Sequence, residues 1–235
     1  MLDVTHYRVP APGIGGSCRL ALVTDLHNCR YDRLLDVIRA EHPDAVVIAG
    51  DLLGNLDTRG AGSLRFLEII AAEFPVFYGL GNHERLLDDA AHTVIRKTGA
   101  VLLINEWIRF GELVIGAPAP DTPDGGASLT AEHHAFLRRF SAACGYRILL
   151  CHRPEWYFAG VRDYDIPLML AGHAHGGQIR LLGHPIYSPG QGLFPKYAQG
   201  MHEGRLIVSR GLGNHAIVPR FFNAPELCII TLYEP

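Results

Sequence analysis

Apolar residues in this chain come in short runs, and most of the runs stop at a cluster of Gly, Asp, Asn or His. Arg19–Thr24, Ala45–Ala49, Val76–Gly79, Val101–Ile104, Leu113–Ala117, Arg147–Cys151 and Ile166–Ala171 read as strands, mostly with both faces buried. Between several of them the apolar residues return at helical spacing. Leu34, Leu35 and Ile38 mark a helix over Tyr31–Glu41, and Leu64, Leu67, Ile69 and Ile70 mark another over Ser63–Glu73. Arg85–Thr98 and Thr130–Ala143 read as further helices, the second with Thr130 as N-cap and His133 three residues on. Pro154–Phe158 is one short helical turn.

Strand and helix thus alternate up to residue 175, which predicts mainly parallel strands joined by βαβ crossovers. Beyond it Gln178–Leu182, Leu206–Ser209 and Leu227–Leu232 read as strands with no strong helix between them, so the last 60 or so residues are expected to be antiparallel β. Residues 1–17 read as an irregular lead-in with one edge strand at Thr5–Val9. The expectation is an α/β protein with one domain spanning residues 1–235.

Composition adds exclusions. A net charge of −3 gives no electrostatic case for nucleic acid. Cys18, Cys29, Cys144, Cys151 and Cys228 are odd in number and contain no C-x-x-C pair, as expected of a reduced, cytoplasmic setting; Cys144 and Cys228 read as small core residues. Met1–Gly16 has no apolar run suited to a signal peptide or a membrane span, leaving peripheral contact with a membrane as the remaining expectation of that kind.

Chemistry enters where the strands end. Asp25-x-His27, Gly50-Asp51, Gly81-Asn82-His83-Glu84, His152 and Gly172-His173-Ala174-His175 each follow the carboxyl end of an apolar run. In α/β sheets sites form outside those ends, so five such motifs are expected to meet in one crevice. On an extended backbone His173 and His175, two apart, would point the same way. Imidazole, carboxylate and one amide oxygen, without thiolate, suit Mn²⁺, Fe²⁺, Co²⁺ or Zn²⁺, and a bridging carboxylate allows two ions about 3.5–4 Å apart.

Taken together, these blocks resemble the signature of the calcineurin-like metallophosphoesterases, in the family's order across residues 25–175. Cys151-His-Arg-Pro-Glu155, Gly172–Arg180 and Val208–Gly213 resemble a bacterial branch of small phosphodiesterases, some of them membrane-associated and active in lipid metabolism. The resemblance implies a β-sandwich of two mixed sheets flanked by α-helices, with the metal site at the carboxyl ends of the strands. It implies a phosphate-ester hydrolase, most directly a phosphodiesterase, in which a metal-bridging hydroxide attacks phosphorus. Phosphomonoesters and a UDP-2,3-diacylglucosamine-type lipid pyrophosphate are the alternative substrates. By the same resemblance Asp25, His27 and His175 hold one divalent ion, Asn82, His152 and His173 hold a second, and Asp51 bridges them. His83 protonates the leaving oxygen, and Glu84, which replaces the Asp of many relatives, orients its neighbours. A protein-binding scaffold that kept the fold without the chemistry would show eroded ligands; here all seven stand, with His83.

Other residues are weighed more plainly. Arg153 and Arg180 are candidate phosphate contacts, because guanidinium suits phosphate oxygens. His215 reads as a rim or structural residue, His184 and His202 as solvated, and His42, His92, His133 and His134 as surface positions. Trp107 and Trp156 read as packing residues, and loops 54–62, 118–127 and 183–203 as the segments that shape specificity.

Overall fold

A computed structural model describes residues 2–27, 29–53, 61–120, 128–188, 190–213 and 219–235. Its two six-stranded sheets pack face to face. In the first, the parallel strands β2 (Ser17–Val23), β3 (Ala45–Ala49), β4 (Val76–Gly79) and β5 (Val101–Leu103) are joined through helices α1 (Asp32–Glu41), α2 (Ala61–Glu73) and α3 (Asp89–Lys97). The C-terminal strand Glu226–Tyr233 lies antiparallel to β2 and parallel to β1 (Asp3–Pro10), which forms the edge. The second sheet runs β6 (Glu106–Phe110), β7 (Leu113–Ala117), β8 (Tyr146–Leu150), β9 (Leu168–Ala171), then Leu206–Val208 and Gly200–His202. Its outer face carries α4 (Ala131–Ser141) and α5 (Glu155–Ala159).

Strand pleating explains why these runs carry almost no polar residue. Leu20, Leu22, Val47 and Ala49 face the second sheet's Ile115, Ile148, Leu150, Leu168 and Leu170. Their neighbours Ala21, Val23, Val46 and Ile48 face Ile38, Phe66, Leu67 and Ile70 of the helices. Across the second sheet Leu149 and Met169 meet Phe136, Phe140, Trp156 and Tyr157. Each strand residue is therefore covered on one face or the other, and burying a side chain of this size contributes about 1.5–3 kcal/mol. The four layers, helix, sheet, sheet and helix, match the expected α/β sandwich of two mixed sheets.

Several expectations are corrected. Residues 178–182 do not form a sheet strand; Arg180–Leu181 pairs with His184–Pro185 in a two-residue ribbon, and Ile179 makes a single parallel bridge to Phe221. The end of the chain is not simply antiparallel, since Leu206–Val208 runs parallel to β9. The helix expected from Arg85 begins at Asp89, because residues 81–84 are held by a buried carboxylate described below and Asp88 caps the first turn by accepting from Ala91 N at 2.9 Å. Strand β6 was not expected. It is an exposed edge, joined to β7 by a two-residue turn at Gly111-Glu112 with Gly111 at φ 58, and that glycine was the available signal. Cys144 is exposed rather than core, while Cys228 is buried. His133 is buried: it completes a capping box with Thr130 and packs on Trp156 at 4.5 Å between ring centroids. His215 lies outside the described residues, as do residues 54–60 and 121–127 of the loops expected to shape specificity. Among the described residues no helix is long and apolar enough to cross a membrane.

Candidate metal centre

Parallel pairing brings the carboxyl ends of β2, β3 and β4 to one edge of the first sheet, and those of β8 and β9 to an edge of the second. The five motifs leave from these ends and meet at the seam. Asp25, His27, Asp51, His173 and His175 adopt φ values of 52, 48, 53, 64 and 47°, in the left-handed region. Such a conformation costs roughly 1–2 kcal/mol for a residue with a side chain, and it clusters at functional sites. Here hydrogen bonds between motifs hold it. Asp25 N donates to Gly50 O at 3.1 Å and His27 N to Asp51 O at 3.2 Å. His173 N donates to the Asp25 carboxylate at 3.2 Å, and His83 N to Asp51 Oδ1 at 2.9 Å. The expectation that His173 and His175 converge as alternate residues of an extended strand is therefore corrected. Both lie in a tight turn, and they join different groups of donor atoms.

Two glycines make room for the carboxylates. A Cβ on Gly81 would stand 2.2 Å from Asp51 Oδ1, and one on Gly172 would stand 2.4 Å from Asp25 Oδ2. The Gly before each His-bearing block is thus required by close approach.

Three groups of potential ligand atoms each lie within 4.8 Å of one another: Asp25, His27 and His175; Asp51, His152 and His173; and His27, Asp51 and His83. Asp51 Oδ2 is central. It lies 3.1 Å from His152 Nε2 and 3.8 Å from both His27 Nε2 and His83 Nε2. Asp25 Oδ1 lies 3.6 Å from His175 Nε2 and 3.8 Å from His27 Nε2.

The electrostatics suit a cation. Burial pulls the His27 pKa down to about 3. Burial, with His152 and Arg153 nearby, holds His173 well below its ordinary value, and burial lowers His175. These imidazoles are neutral at pH 7, the form in which histidine ligates metal ions. Burial alone would raise Asp51, but the imidazoles of His152, His27 and His83 hold it below the usual carboxylate range. Burial likewise lowers His152, and the Asp51 and Asp25 carboxylates more than offset it, lifting the group to about 10. His152 Nδ1 donates to Ala49 O at 2.8 Å, which turns Nε2 towards Asp51. A carbonyl accepting the far ring N–H is the usual support of a ligating histidine. Asn82 Oδ1 is buried with no hydrogen-bond partner. Neutral imidazoles at His27, His173 and His175, ionised carboxylates, a buried amide oxygen and, once its extra proton is displaced by a cation, His152 are a donor set that fits divalent ions.

Around this set, Glu84 ties its own block to the Gly50-Asp51 block and to β4. Its carboxylate accepts from Gly81 N at 2.7 Å, Asp51 N at 3.0 Å, Leu53 N at 2.9 Å and the Tyr78 hydroxyl. The Arg153 guanidinium reaches His173 Nε2 at 2.8 Å and lines a cleft with Gly81, His152 and the Pro118–Pro120 segment after β7. Arg180 does not reach the centre. It is buried, and its guanidinium donates to the carbonyl oxygens of Gly176 and Gly183, bracing the turn after His175. Three supporting residues were not anticipated. Besides Tyr78, Asn223 Nδ2 donates to His175 O at 2.6 Å, and Arg220 approaches His175 Nδ1 at 3.4 Å while donating to the Gly213 and Arg210 carbonyls. Neither of these two sits in a motif. Tyr78 carried a weak signal, a hydroxyl inside an apolar strand that leads into the Gly-Asn-His-Glu block.

Comparison with known proteins places these residues in a wider set. The family model described as calcineurin-like phosphoesterase matches residues 18–177. The metallophosphoesterase YkuE of Bacillus subtilis is 27% identical, over 99% of this chain and 86% of its own. The phosphodiesterase YaeI of Escherichia coli is 26% identical, over 83% of this chain and 75% of its own. The UDP-2,3-diacylglucosamine pyrophosphatase LpxG of Chlamydia muridarum is 38% identical over 99 residues, 37% of this chain and 30% of its own.

Proposed function

Because the chain belongs to the calcineurin-like phosphoesterases, and is thereby a metal-dependent phosphoric ester hydrolase, we propose that it is a phosphodiesterase with a two-ion centre. The observation that carries this reading is the pair of donor groups, Asp25/His27/His175 and Asp51/His152/His173, meeting at the seam of the two sheets. On it Asp25, His27 and His175 hold one ion, Asn82, His152 and His173 the other, and Asp51 lies between them. Bound there, two divalent ions neutralise charge on the phosphoryl group and activate a water for attack on phosphorus.

The protein's own part is positioning and proton transfer. His83 is the rim histidine, with a side chain 23% exposed and its backbone N–H fixed on Asp51 Oδ1. Its ring packs edge-on against His27 at 4.8 Å, so it reaches solvent while staying beside the donor set. We assign it the protonation of the leaving oxygen. Arg153, in the cleft beside His152, meets a phosphate oxygen. Arg180 is left out, since its guanidinium is held by backbone carbonyls.

The designation of YaeI supports a diester over a monoester. The similarity to LpxG favours, as a second reading, a lipid-linked pyrophosphate of the diacylglucosamine type. The test is hydrolysis of bis-p-nitrophenyl phosphate against p-nitrophenyl phosphate with Mn²⁺, Co²⁺, Fe²⁺ or Zn²⁺. The diester is expected to be preferred by about tenfold or more. No turnover of it with any of these ions overturns the reading.

The separate duties of the two histidines are testable without turnover. His173→Ala and His175→Ala should each lose about one of two bound ions, measured by elemental analysis of the reconstituted protein. Loss of both ions in each variant, or of neither, would contradict the assignment.

A further inference from the structure

Glu155 opens α5, three residues after His152. Both of its carboxylate oxygens are buried, and neither accepts a hydrogen bond. Burying a carboxyl group without a partner is unfavourable. Burial accordingly raises its pKa, while its own backbone amide and the Arg153 charge pull it down. The Gln191 amide also lies beside it, but that amide already bonds the Tyr197 carbonyl and N–H at 3.0 Å each.

This carboxylate borders the second group of donors. A Cβ on Gly190 would stand 2.9 Å from Glu155 Oε1 and 3.4 Å from His173 Nε2, so the two side chains flank the same glycine. Gly190 has φ of 75°, and any larger residue there would stand between them.

His173 Nε2 also meets the Arg153 guanidinium, at 2.8 Å. A guanidinium only donates, so Nε2 accepts in this contact. A neutral imidazole that ligates an ion gives the ion the lone pair of one ring nitrogen and carries N–H on the other. Neither nitrogen can then accept from Arg153. The contact with Arg153 and ligation by His173 therefore exclude one another, whichever ring nitrogen ligates. For His173 to serve as a ligand the guanidinium has to move. Two residues along the chain, Glu155 offers two buried acceptor oxygens without a partner. A carboxylate also suits the guanidinium fork, with charge-assisted hydrogen bonds.

We propose that Glu155 is a positioning residue that draws Arg153 off His173, and that this exchange sets the affinity of the Asn82/His152/His173 group for its ion. The proposal rests on the two-ion reading above. It gives the guanidinium two settings. On His173 it blocks a ligand nitrogen, and on Glu155 it is held ready for a phosphate oxygen.

The test is calorimetric titration of EDTA-stripped protein with Mn²⁺. The wild type should take up two ions. Glu155→Gln should weaken the second about tenfold, because Arg153 loses its charged acceptor. Without the guanidinium the carboxylate should not matter: Arg153→Ala and Arg153→Ala/Glu155→Gln should bind the second ion within about twofold of each other. In EDTA, Glu155→Gln should melt with the wild type or above it, since an unpartnered buried carboxyl adds nothing to the fold. At saturating Mn²⁺ its KM for bis-p-nitrophenyl phosphate should rise about fivefold, with kcat within about twofold. The exchange is overturned if Glu155→Gln binds the second ion like the wild type. It is equally overturned if the loss persists in the Arg153→Ala background, which would make Glu155 a direct support of the ion. A lower Tm in EDTA, or a fall in kcat at unchanged KM, also overturns the positioning role. Uptake of fewer than two ions by the wild type overturns the two-ion reading and this proposal with it. Failure of the wild type on the diester overturns the phosphodiesterase reading alone, because ion binding is read without turnover.

Discussion

Replacing Asp51 with Asn is expected to lower diester turnover by about 1,000-fold or more at saturating metal, with a folded protein by circular dichroism. The reason is where the carboxylate sits. Its Oδ2 faces Nε2 of His152 at 3.1 Å and those of His27 and His83 at 3.8 Å, while Oδ1 accepts from the His83 backbone at 2.9 Å. One side chain thus touches both proposed ion positions and the proposed proton donor. An amide of the same shape keeps the packing but removes the buried charge, and it turns either an oxygen or an N–H₂ towards imidazole nitrogens. Metal content should fall together with rate. Turnover within about tenfold of the wild type would sink the bridging assignment.

The second large effect is on stability. Glu84→Ala removes the acceptor for the backbone N–H groups of Gly81, Asp51 and Leu53 and for the Tyr78 hydroxyl, all in a buried position. Each buried donor left unpaired costs roughly 1–3 kcal/mol, so a loss of about 3 kcal/mol or more is expected. For a chain of this size that is a fall in Tm of about 6–12 °C. A variant that melts with the wild type would show that water replaces the carboxylate.

Titration of Glu84 gives the pH dependence. Burial first, and the Asp51 charge second, raise its pKa to about 7, against the pull of Tyr78 and the Gly81 and Leu53 amides. A carboxyl whose pKa is higher folded than unfolded binds its proton more tightly in the native state. Its contribution is complete below the unfolded value and is lost as the pH rises through about 7. In EDTA the Tm gap between wild type and Glu84→Ala should therefore be widest near about pH 4.5 and narrow towards about pH 8. A gap that widens with pH would contradict this.

Much of the site was legible because its residues obey a local rule. An apolar run buried on both faces ends abruptly, and the next residues are Asp, His or Asn. Asp25, Asp51, His152 and the His173/His175 pair could each be picked out that way, and Asn82 and His83 follow β4 after two intervening residues. Edge strand β6 escaped, since an exposed strand lacks the continuous apolar run that marks a central one. Glu84 could be named as an orienting residue, but not as the acceptor for amides of three separate positions. Hydrogen bonds from Asp51 and Leu53, more than thirty residues away, exist only once β3 and β4 lie side by side.

Local patterning of apolar and polar residues thus determined the strands, most of the helices and the chemistry at the strand ends, because burial and pleating act over a few neighbours. Tertiary structure alone decided how those ends are used. The left-handed turns at Asp25, His27, Asp51, His173 and His175 are held by hydrogen bonds between motifs. The division of His173 and His175 between two donor groups depends on which neighbouring motif each side chain of that one turn meets, Asp51 and His152 for His173 and Asp25 and His27 for His175. Arg180 was diverted to backbone carbonyls, while Asn223 and Arg220 were brought to His175 from some 45 residues away. Such contacts follow from the packing of two sheets, and no residue-by-residue periodicity encodes them.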